Sequence, residues 1–522
     1  MNPSLLWPSS PLALTIEPPA YFHDLNLDRV VEGVVGKLEF DLRPLFYTPL
    51  QDLEAIRYRQ AVVADLEQPA LNQALWTFTQ AQHTLREHLE RSQKLSNPYQ
   101  RQGFFLEAAQ VYVDAVRALE QALEENSPSA PAWRRVTAYL KNYTASPAFQ
   151  NLERETQALR QALAEVHYTL LLQGDRVTVR AGGEELDYQG EIELLFARFR
   201  QGAPKDYRVG FSEWNTLNHI EERILEGLVR LFPRVFAELE SFARHHQGFP
   251  DPVITTLDWE VQFYLGYLDY CRPLREAGFA FCLPEVGTEK QVSLEEGFEL
   301  AVAQQQLAEG RKVVPNSFSL EGAERILVVT GPNQGGKTTF ARMVGQAHHL
   351  AHLGLAVPGR SARLFLCDQI FTHFERREAA QEMRGKLQDE LLRIHQALSR
   401  ATPRSLLVLN EAFSSTSLDD ARFLMNKILQ AVARLDALAV VVTFIEELAS
   451  FSETTVSMVA QVDPDDPALR TFRVVRQQAD GKAYALAIAR KHGLSYPQLK
   501  TRLALSRTAS LGGSGEGLPA LS

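Results

Sequence analysis

The chain has 522 residues, 45% of them hydrophobic and 23% charged, with a formal charge of -10 at neutral pH. Single cores stop growing near about 250 to 300 residues, so several domains are expected, and the composition excludes a disordered or collagen-like chain. The negative balance excludes a uniformly basic nucleic-acid binder; contact with a phosphate backbone would need a local patch.

Residues 1–24 read as an N-terminal extension. They lack a basic n-region and are broken by prolines, so no signal peptide is expected. Residues 25–165 carry the periodicity of long helices, as in "DLEAIRYRQAVVADL" and "FFLEAAQVYVDAVRALEQALEE", with "NSPSAPAW" from Asn126 as a turn between two of them. Residues 166–210 change texture. "YTLLLQGDRVTVRAGGEELDY" alternates apolar and polar residues around a Gly-Asp turn and predicts a hairpin-like insert. Arg176, Arg180, Arg198, Arg200, Lys205 and Arg208 could touch a nucleic-acid backbone there, although Glu184, Glu185, Asp187, Glu191 and Glu193 are interleaved.

Helical patterns return over residues 211–286. Residues 287–504 then alternate strand-like runs ("RILVVTG", "RLFLCD", "SLLVLNE", "LAVVVTF", "TFRVVRQ") with helical ones, the pattern of a largely parallel sheet covered by helices. The most apolar run, "ALAVVVTFI" from Ala437, is far shorter than the about 20 residues a membrane span needs and reads as a buried strand. Residues 505–522 are rich in Gly and Ser and are expected to be disordered. Cys271, Cys282 and Cys367 lack CxxC spacing, which indicates neither a disulfide framework nor a zinc site and suits a reducing interior. A cytoplasmic, multidomain α and α/β protein without membrane contact is expected.

The chemistry begins at "ILVVTGPNQGGKTTF". A short apolar strand precedes Gly331, Pro332, Asn333, Gln334, Gly335, Gly336, Lys337, Thr338 and Thr339, and a helix follows, which fits G-x-x-x-x-G-K-S/T in its required setting. Glycines let backbone N–H groups turn onto phosphate oxygens, and the helix N-terminus adds partial positive charge. Lys337 is expected to reach the β- and γ-phosphates of ATP and the Thr338 hydroxyl to coordinate Mg²⁺. About seventy residues later "SLLVLNE" supplies a second strand of the same sheet. Glu411 is the candidate general base for water attacking the γ-phosphate. Asn410 stands where such strands usually carry Asp; it keeps a carbonyl acceptor for the metal side but not the charge. Slow hydrolysis is expected.

With both motifs in place, the sequence resembles the MutS family of DNA mismatch-repair ATPases. "TGPNQGGKTTF" and "GLAVPGRSARLFLCDQIFT" look like that family's glycine loop, second strand and Ile-Phe-Thr segment, here Ile370, Phe371 and Thr372. The likeness continues at Glu411, Thr416, Ser417 and Asp420, at Thr443, Glu447 and Leu448 in "VVTFIEEL", and in "YALAIARKHGL" from Tyr484. It implies a helical core and lever from residue 25 interrupted by a small mixed clamp insert, then a P-loop ATPase domain that dimerises around DNA. It further implies that Asn316 helps bind the nucleotide, and that Ser414, Ser415, Thr416, Ser417 and Asp420 form a loop reaching towards the other subunit's nucleotide. A homodimer is expected, with a heterodimer also allowed.

Departures from the family pattern temper that transfer. No segment ahead of the helical core is long enough for the mismatch-reading domain, and no Phe-x-Glu wedge stands there. Phe444 replaces the His after the Thr of the switch strand. Val313, eighteen residues before Gly331, replaces an aromatic that stacks on adenine, and "MRGKLQDEL" from Met383 replaces a Gly-Arg-Ser-Thr segment. The expected function is an ATP-gated dimeric protein binding structured or branched double-stranded DNA in repair or recombination. A nucleotide-switched scaffold on RNA or the ribosome, with little hydrolysis, is the alternative, and a small-molecule P-loop kinase is a remote third.

Overall fold

The computed structural model describes residues 2–173, 176–182, 219–375, 386–463, 469–478 and 499–500. Contacts divide the chain into two compact units: Met1–Leu5 with Asp65–Leu265, and Leu6–Ala64 with Gly266–Ser522.

The chain builds part of the second unit first, with α1 (Leu27–Val35), α2 (Arg43–Tyr47) and most of α3 (Leu53–Leu66). The sequence pattern places the start of a helical core at residue 25, whereas these helices group with the C-terminal residues. Long-range bonds explain the grouping. Arg342 donates to the Asp24 carbonyl at 2.8 Å and Gln346 to the Leu25 carbonyl at 2.7 Å. Arg59 is fully buried, lies 4.5 Å over the Trp7 ring, and donates to the carbonyls of Leu6 and Leu353.

The first unit holds α4 (Pro69–Lys94), α5 (Pro98–Asn126), α6 (Pro131–Thr144), α7 (Pro147–Ala164), β1 (Tyr168–Gln173), β2 (Arg176–Ala181), α8 (His219–Leu231), α9 (Pro233–His245) and most of α10 (Pro252–Glu276). Helices α4 to α7, α9 and α10 each begin on proline, whose fixed φ suits the first helical turn and whose missing N–H would have no partner there. Asn97 and Ser146 add side-chain caps to α5 and α7. Trp133, Tyr112 and Phe149 are fully buried, and Arg117 grips Glu153 with two bonds of 2.9 and 2.8 Å. The expected hairpin is present: β1 and β2 pair antiparallel from Tyr168↔Ala181 to Gln173↔Arg176. Its turn, the remaining arginines of the expected clamp, Met383, the segment from Tyr484 and the tail lie outside the described residues.

In the second unit follow β3 (Phe281–Cys282), β4 (Glu285–Gly287), β5 (Val292–Gly297), α11 (Leu300–Ala308), β6 (Asn316–Leu320), β7 (Ile326–Thr330), α12 (Lys337–His352), β8 (Val357–Pro358), β9 (Ser361–Phe365) and β10 (Ile370–Phe374). After them come α13 (Lys386–Arg400), β11 (Leu406–Asn410), α14 (Leu418–Leu435), β12 (Leu438–Val442), a 3₁₀ turn at Glu446–Ser450, β13 (Thr455–Val462) and β14 (Arg470–Arg476). The main sheet has the order β10-β11-β12-β7-β13-β14, parallel except for antiparallel β14 at its edge. Every residue of β7, β11 and β12 is buried, as expected for parallel strands covered on both faces.

"RLFLCD" departs from expectation. It forms β9 in a separate sheet, β4-β9-β5-β6, and the main-sheet edge strand is β10. Only the last two residues of β9, Leu364 and Phe365, are buried. Among the described residues no helix is long and apolar enough to cross a membrane.

Candidate functional site

Strands β7 and β11 are separated by β12 in the sheet, and their carboxyl ends deliver the glycine loop and the Asn410-Glu411 pair to the same edge, where ligands of open α/β sheets bind. Gly331 has φ +113°, and a Cβ there would stand 2.8 Å from the Ala460 carbonyl oxygen, so the first loop position accepts only glycine. Gly336, at φ +93°, turns the chain into α12, and Gln334 is also left-handed at +61°. The loop thus presents the first turn of a 16-residue helix to the cavity.

Lys337 is 3% exposed. Its Nζ donates to the carbonyls of Gly331 (2.9 Å) and Pro332 (3.2 Å) and to Asn333 Oδ1 (3.4 Å), and lies 3.7 Å from Glu411 Oε1. Burial lowers the ammonium pKa from the ordinary lysine value, opposed by the Glu411 carboxylate. The Thr338 hydroxyl donates to Asn410 Oδ1 at 2.9 Å, which brings together the two residues expected on the metal side. Both offer neutral oxygens. Mg²⁺ takes oxygen ligands, keeps several waters and leans on substrate phosphates, so this donor pair at the mouth of an anion-binding loop fits it. Among the described residues no three His, Cys, Asp or Glu side chains converge on a metal position.

Glu411 occupies the left-handed region at φ +51°, and Phe413 does so at +63°. Such conformations in non-glycine residues are costly and persist where surroundings over-determine them. Here the Glu411 N–H donates to the Val442 carbonyl at 2.9 Å and the Phe413 N–H to the buried Glu390 carboxylate at 3.0 Å. The Phe413 ring is fully buried among Leu409, Met425, Leu429 and Val441. The carboxylate of Glu411 is thereby left half-buried at the cavity. Beyond it, Ser414, Ser415, Ser417 and Asp420 are exposed and Thr416 is half-buried. Ser417 caps α14: its Oγ accepts the Asp420 N–H at 3.2 Å and donates to Asp420 Oδ2 at 2.6 Å.

The cavity has a volume of about 240 Å³. Gly336, Lys337, Thr338, Thr339 and Glu411 line one part, and Phe298, Val302, Ala303, Val313 and Val314 another. Three lining residues have roles that sequence patterns did not single out or assigned differently. Asn316 turns its amide onto the β14 backbone, donating to the Phe472 carbonyl at 3.1 Å and accepting the Val474 N–H at 2.6 Å. Glu299 is 2% exposed and caps α11; burial raises its pKa, against bonds from the Val302 N–H, Gln346 and Asn26. Phe472 also lines the cavity. A Glu before a helix and a Phe within a strand are too ordinary in sequence to be noticed. Of the switch segment, the Thr443 hydroxyl accepts the Ile445 N–H at 3.0 Å, Phe444 is 44% exposed, and Glu447 and Leu448 lie in the 3₁₀ turn. Thr372 donates to the Asp24 carboxylate at 2.6 Å.

Comparison with known proteins matches residues 327–505 to MutS domain V and residues 51–277 to the MutS2 N-terminal domain. The chain is 32% identical over 193 residues to the Endonuclease MutS2 of Thermus thermophilus, covering 37% of this chain and 26% of that protein. It is 25% identical over 467 residues to the DNA mismatch repair protein MutS of Synechococcus elongatus, covering 82% of this chain and 51% of that protein. It is 31% identical over 140 residues to the mouse DNA mismatch repair protein Msh3, covering 27% and 13%. The chain therefore spans about half or less of the length of these curated relatives. The glycine loop, the paired strand end and matches to two different MutS domains agree: the chain belongs to the MutS family.

Proposed function

We propose that the protein binds Mg²⁺–ATP at the α12 loop, hydrolyses it slowly, and uses the nucleotide state to control binding to structured or branched double-stranded DNA as a dimer. The observation that carries the nucleotide part is the Thr338–Asn410 bond of 2.9 Å beside the Lys337–Glu411 approach of 3.7 Å. Gly331 to Thr339 would receive the phosphates, with Lys337 exchanging loop carbonyls for phosphate oxygens. The cation, when bound, supplies charge neutralisation at the phosphates. Glu411, fixed by the strained turn after β11, would accept the proton of the attacking water. Asn410 would orient Thr338 and the metal-side water without adding charge, which is the reason for slow turnover.

DNA as partner rests on family membership and on relatives named for mismatch repair. Dimerisation rests on family membership and on the exposure of Ser414, Ser415, Ser417 and Asp420 in the loop after β11. The test is ATP turnover of the purified protein with and without linear, mismatched and branched DNA, alongside Lys337→Ala and Glu411→Ala. Turnover that responds to branched DNA and disappears in both variants is expected; a rate indifferent to every DNA and equal in all three proteins would refute it.

A further inference from the structure

We infer that Glu390 is a positioning residue for hydrolysis: from α13 its carboxylate holds the turn that aims Glu411, so that α13 governs turnover separately from nucleotide binding. The inference rests on Glu411 acting as the base of the proposed reaction. Helix α13 brings Leu387, Glu390, Ile394 and Leu398 to one side, at helical spacings of three, four and four residues. Leu387, Ile394 and Leu398 pack on the core that contains Leu407, Leu409 and Phe413. Glu390, 1% exposed, interrupts this apolar stripe. A buried carboxylate is costly unless hydrogen bonds compensate it, and an aliphatic residue would serve packing alone better. Here the compensation includes a bond to the catalytic turn: Glu390 Oε2 accepts the Phe413 N–H at 3.0 Å. Bonds from a backbone N–H to a carboxylate are among the stronger hydrogen bonds.

That bond stands two residues from the catalytic carboxylate. Glu411 and Phe413 lie at φ +51° and +63°, with Ala412 buried between them. One end of the turn is fixed by the Glu411 N–H on the Val442 carbonyl of the neighbouring strand, at 2.9 Å, and the other by Glu390. Without an acceptor on α13 the Phe413 N–H would be buried and unpaired, and the left-handed residues would relax towards ordinary backbone. Glu411 Oε1 stands 3.7 Å from Lys337 Nζ, so a rotation of the turn would move the carboxylate away from the terminal phosphate. A displacement of about 1 Å at a reacting group can cost about 100-fold in rate. The phosphate loop has separate supports: it runs from the buried strand β7 into α12, and neither includes the turn. Loss of the Glu390 acceptor should therefore lower turnover and leave the grip on nucleotide in place.

The experiment measures steady-state ATP turnover and calorimetric Mg²⁺–ATP affinity of the full chain in wild type, Glu390→Gln, Glu390→Asp and Glu390→Leu, with thermal unfolding of each. Gln keeps a carbonyl acceptor at the same reach without charge, Asp keeps the charge on an arm one methylene shorter, and Leu keeps neither. The Gln variant should retain kcat within about tenfold of wild type, whereas Asp and Leu should lose about 100-fold. ATP affinity should stay within about threefold in all four proteins, the split that separates positioning for the reaction from binding. A Leu variant that fails to fold leaves the contrast between Gln and Asp to decide. If Asp retains turnover and Gln loses it, charge matters and not the acceptor; if affinity falls together with kcat, Glu390 merely supports the whole site; if only the melting temperature moves, it merely supports the fold. Each of these results overturns the inference while leaving hydrolysis by wild type standing. Wild type that binds ATP and does not hydrolyse it would overturn both.

Discussion

Asn410→Asp tests the metal side of the site most directly. Asn410 is 7% exposed and accepts the Thr338 hydroxyl at 2.9 Å, so it stands one hydrogen bond behind the expected magnesium ligand. Groups placed this way typically change metal affinity or activity about 10- to 100-fold, equivalent to about 1.4 to 2.7 kcal/mol. Two effects oppose the gain. A carboxylate at this buried position loses hydration, and Glu411 next in sequence adds like charge. Both fall mainly on the metal-free protein, which gives the substitution a double signature. In steady-state ATP turnover across a Mg²⁺ titration, half-saturation should move about 10- to 100-fold lower and the maximal rate should rise. In thermal unfolding, the variant should melt below wild type without Mg²⁺ and recover as Mg²⁺ and nucleotide saturate, because ligands that bind only the folded state stabilise it. Unchanged half-saturation would refute the assignment of Asn410 to the metal side, and hydrolysis by neither protein would mean a switch that binds without turning over.

Acid should unfold the second unit early. His348, His349 and His352 are fully buried and neutral, with burial lowering their pKa values to about 4, 3 and 4. The unfolded chain takes up these three protons near pH 6.5 while the folded one does not, so stability present above that pH falls by up to about 4 kcal/mol per unit between about pH 6 and 4; a denaturation midpoint flat from pH 7 to pH 5 would contradict this. Phe413→Ala removes the fully buried ring that anchors the turn carrying Glu411. It should cost about 3 to 5 kcal/mol in equilibrium unfolding and lower hydrolysis more than nucleotide affinity. Ser417→Ala should cost about 1 kcal/mol through the lost cap of α14, measured by thermal unfolding.

The parts of the site legible in sequence are those whose chemistry is local. A buried strand, glycines at forced positive φ and a following helix occupy consecutive residues, so Gly331 to Thr339 could be read directly. Parts that depend on distant partners could not. Nothing near Asp24 or Leu25 in sequence reveals that Arg342 and Gln346 will bind their carbonyls and draw the first helices into the second unit. "RLFLCD" and the Ile-Phe-Thr segment are equally strand-like and similarly buried, and only long-range pairing, β10 with β11 and β9 with β4 and β5, separates them. Asn316 was legible as a site residue but not as a clamp on β14, since that role exists only once β6 and β14 are neighbours.

The substitutions that set this chain apart from its family act on charge and polarity more than on geometry. Asn410 still receives the Thr338 hydroxyl, and the strained Glu411 turn still has its anchors in Val442, Glu390 and the Phe413 ring. Val313 leaves an aliphatic wall in a cavity that β14 furnishes with an aromatic from another direction. Phe444 has no such counterpart: it stands 44% exposed beside Thr443, whose hydroxyl oxygen accepts the Ile445 N–H. On the proposed reading, nucleotide grip would depend on Lys337, Thr338 and the loop, all retained, and Phe444 would weaken the step from nucleotide state to the rest of the unit. Restoring a polar group with Phe444→His would accordingly alter the response of turnover to DNA more than ATP affinity, and equal changes in both would place the deficit in binding instead.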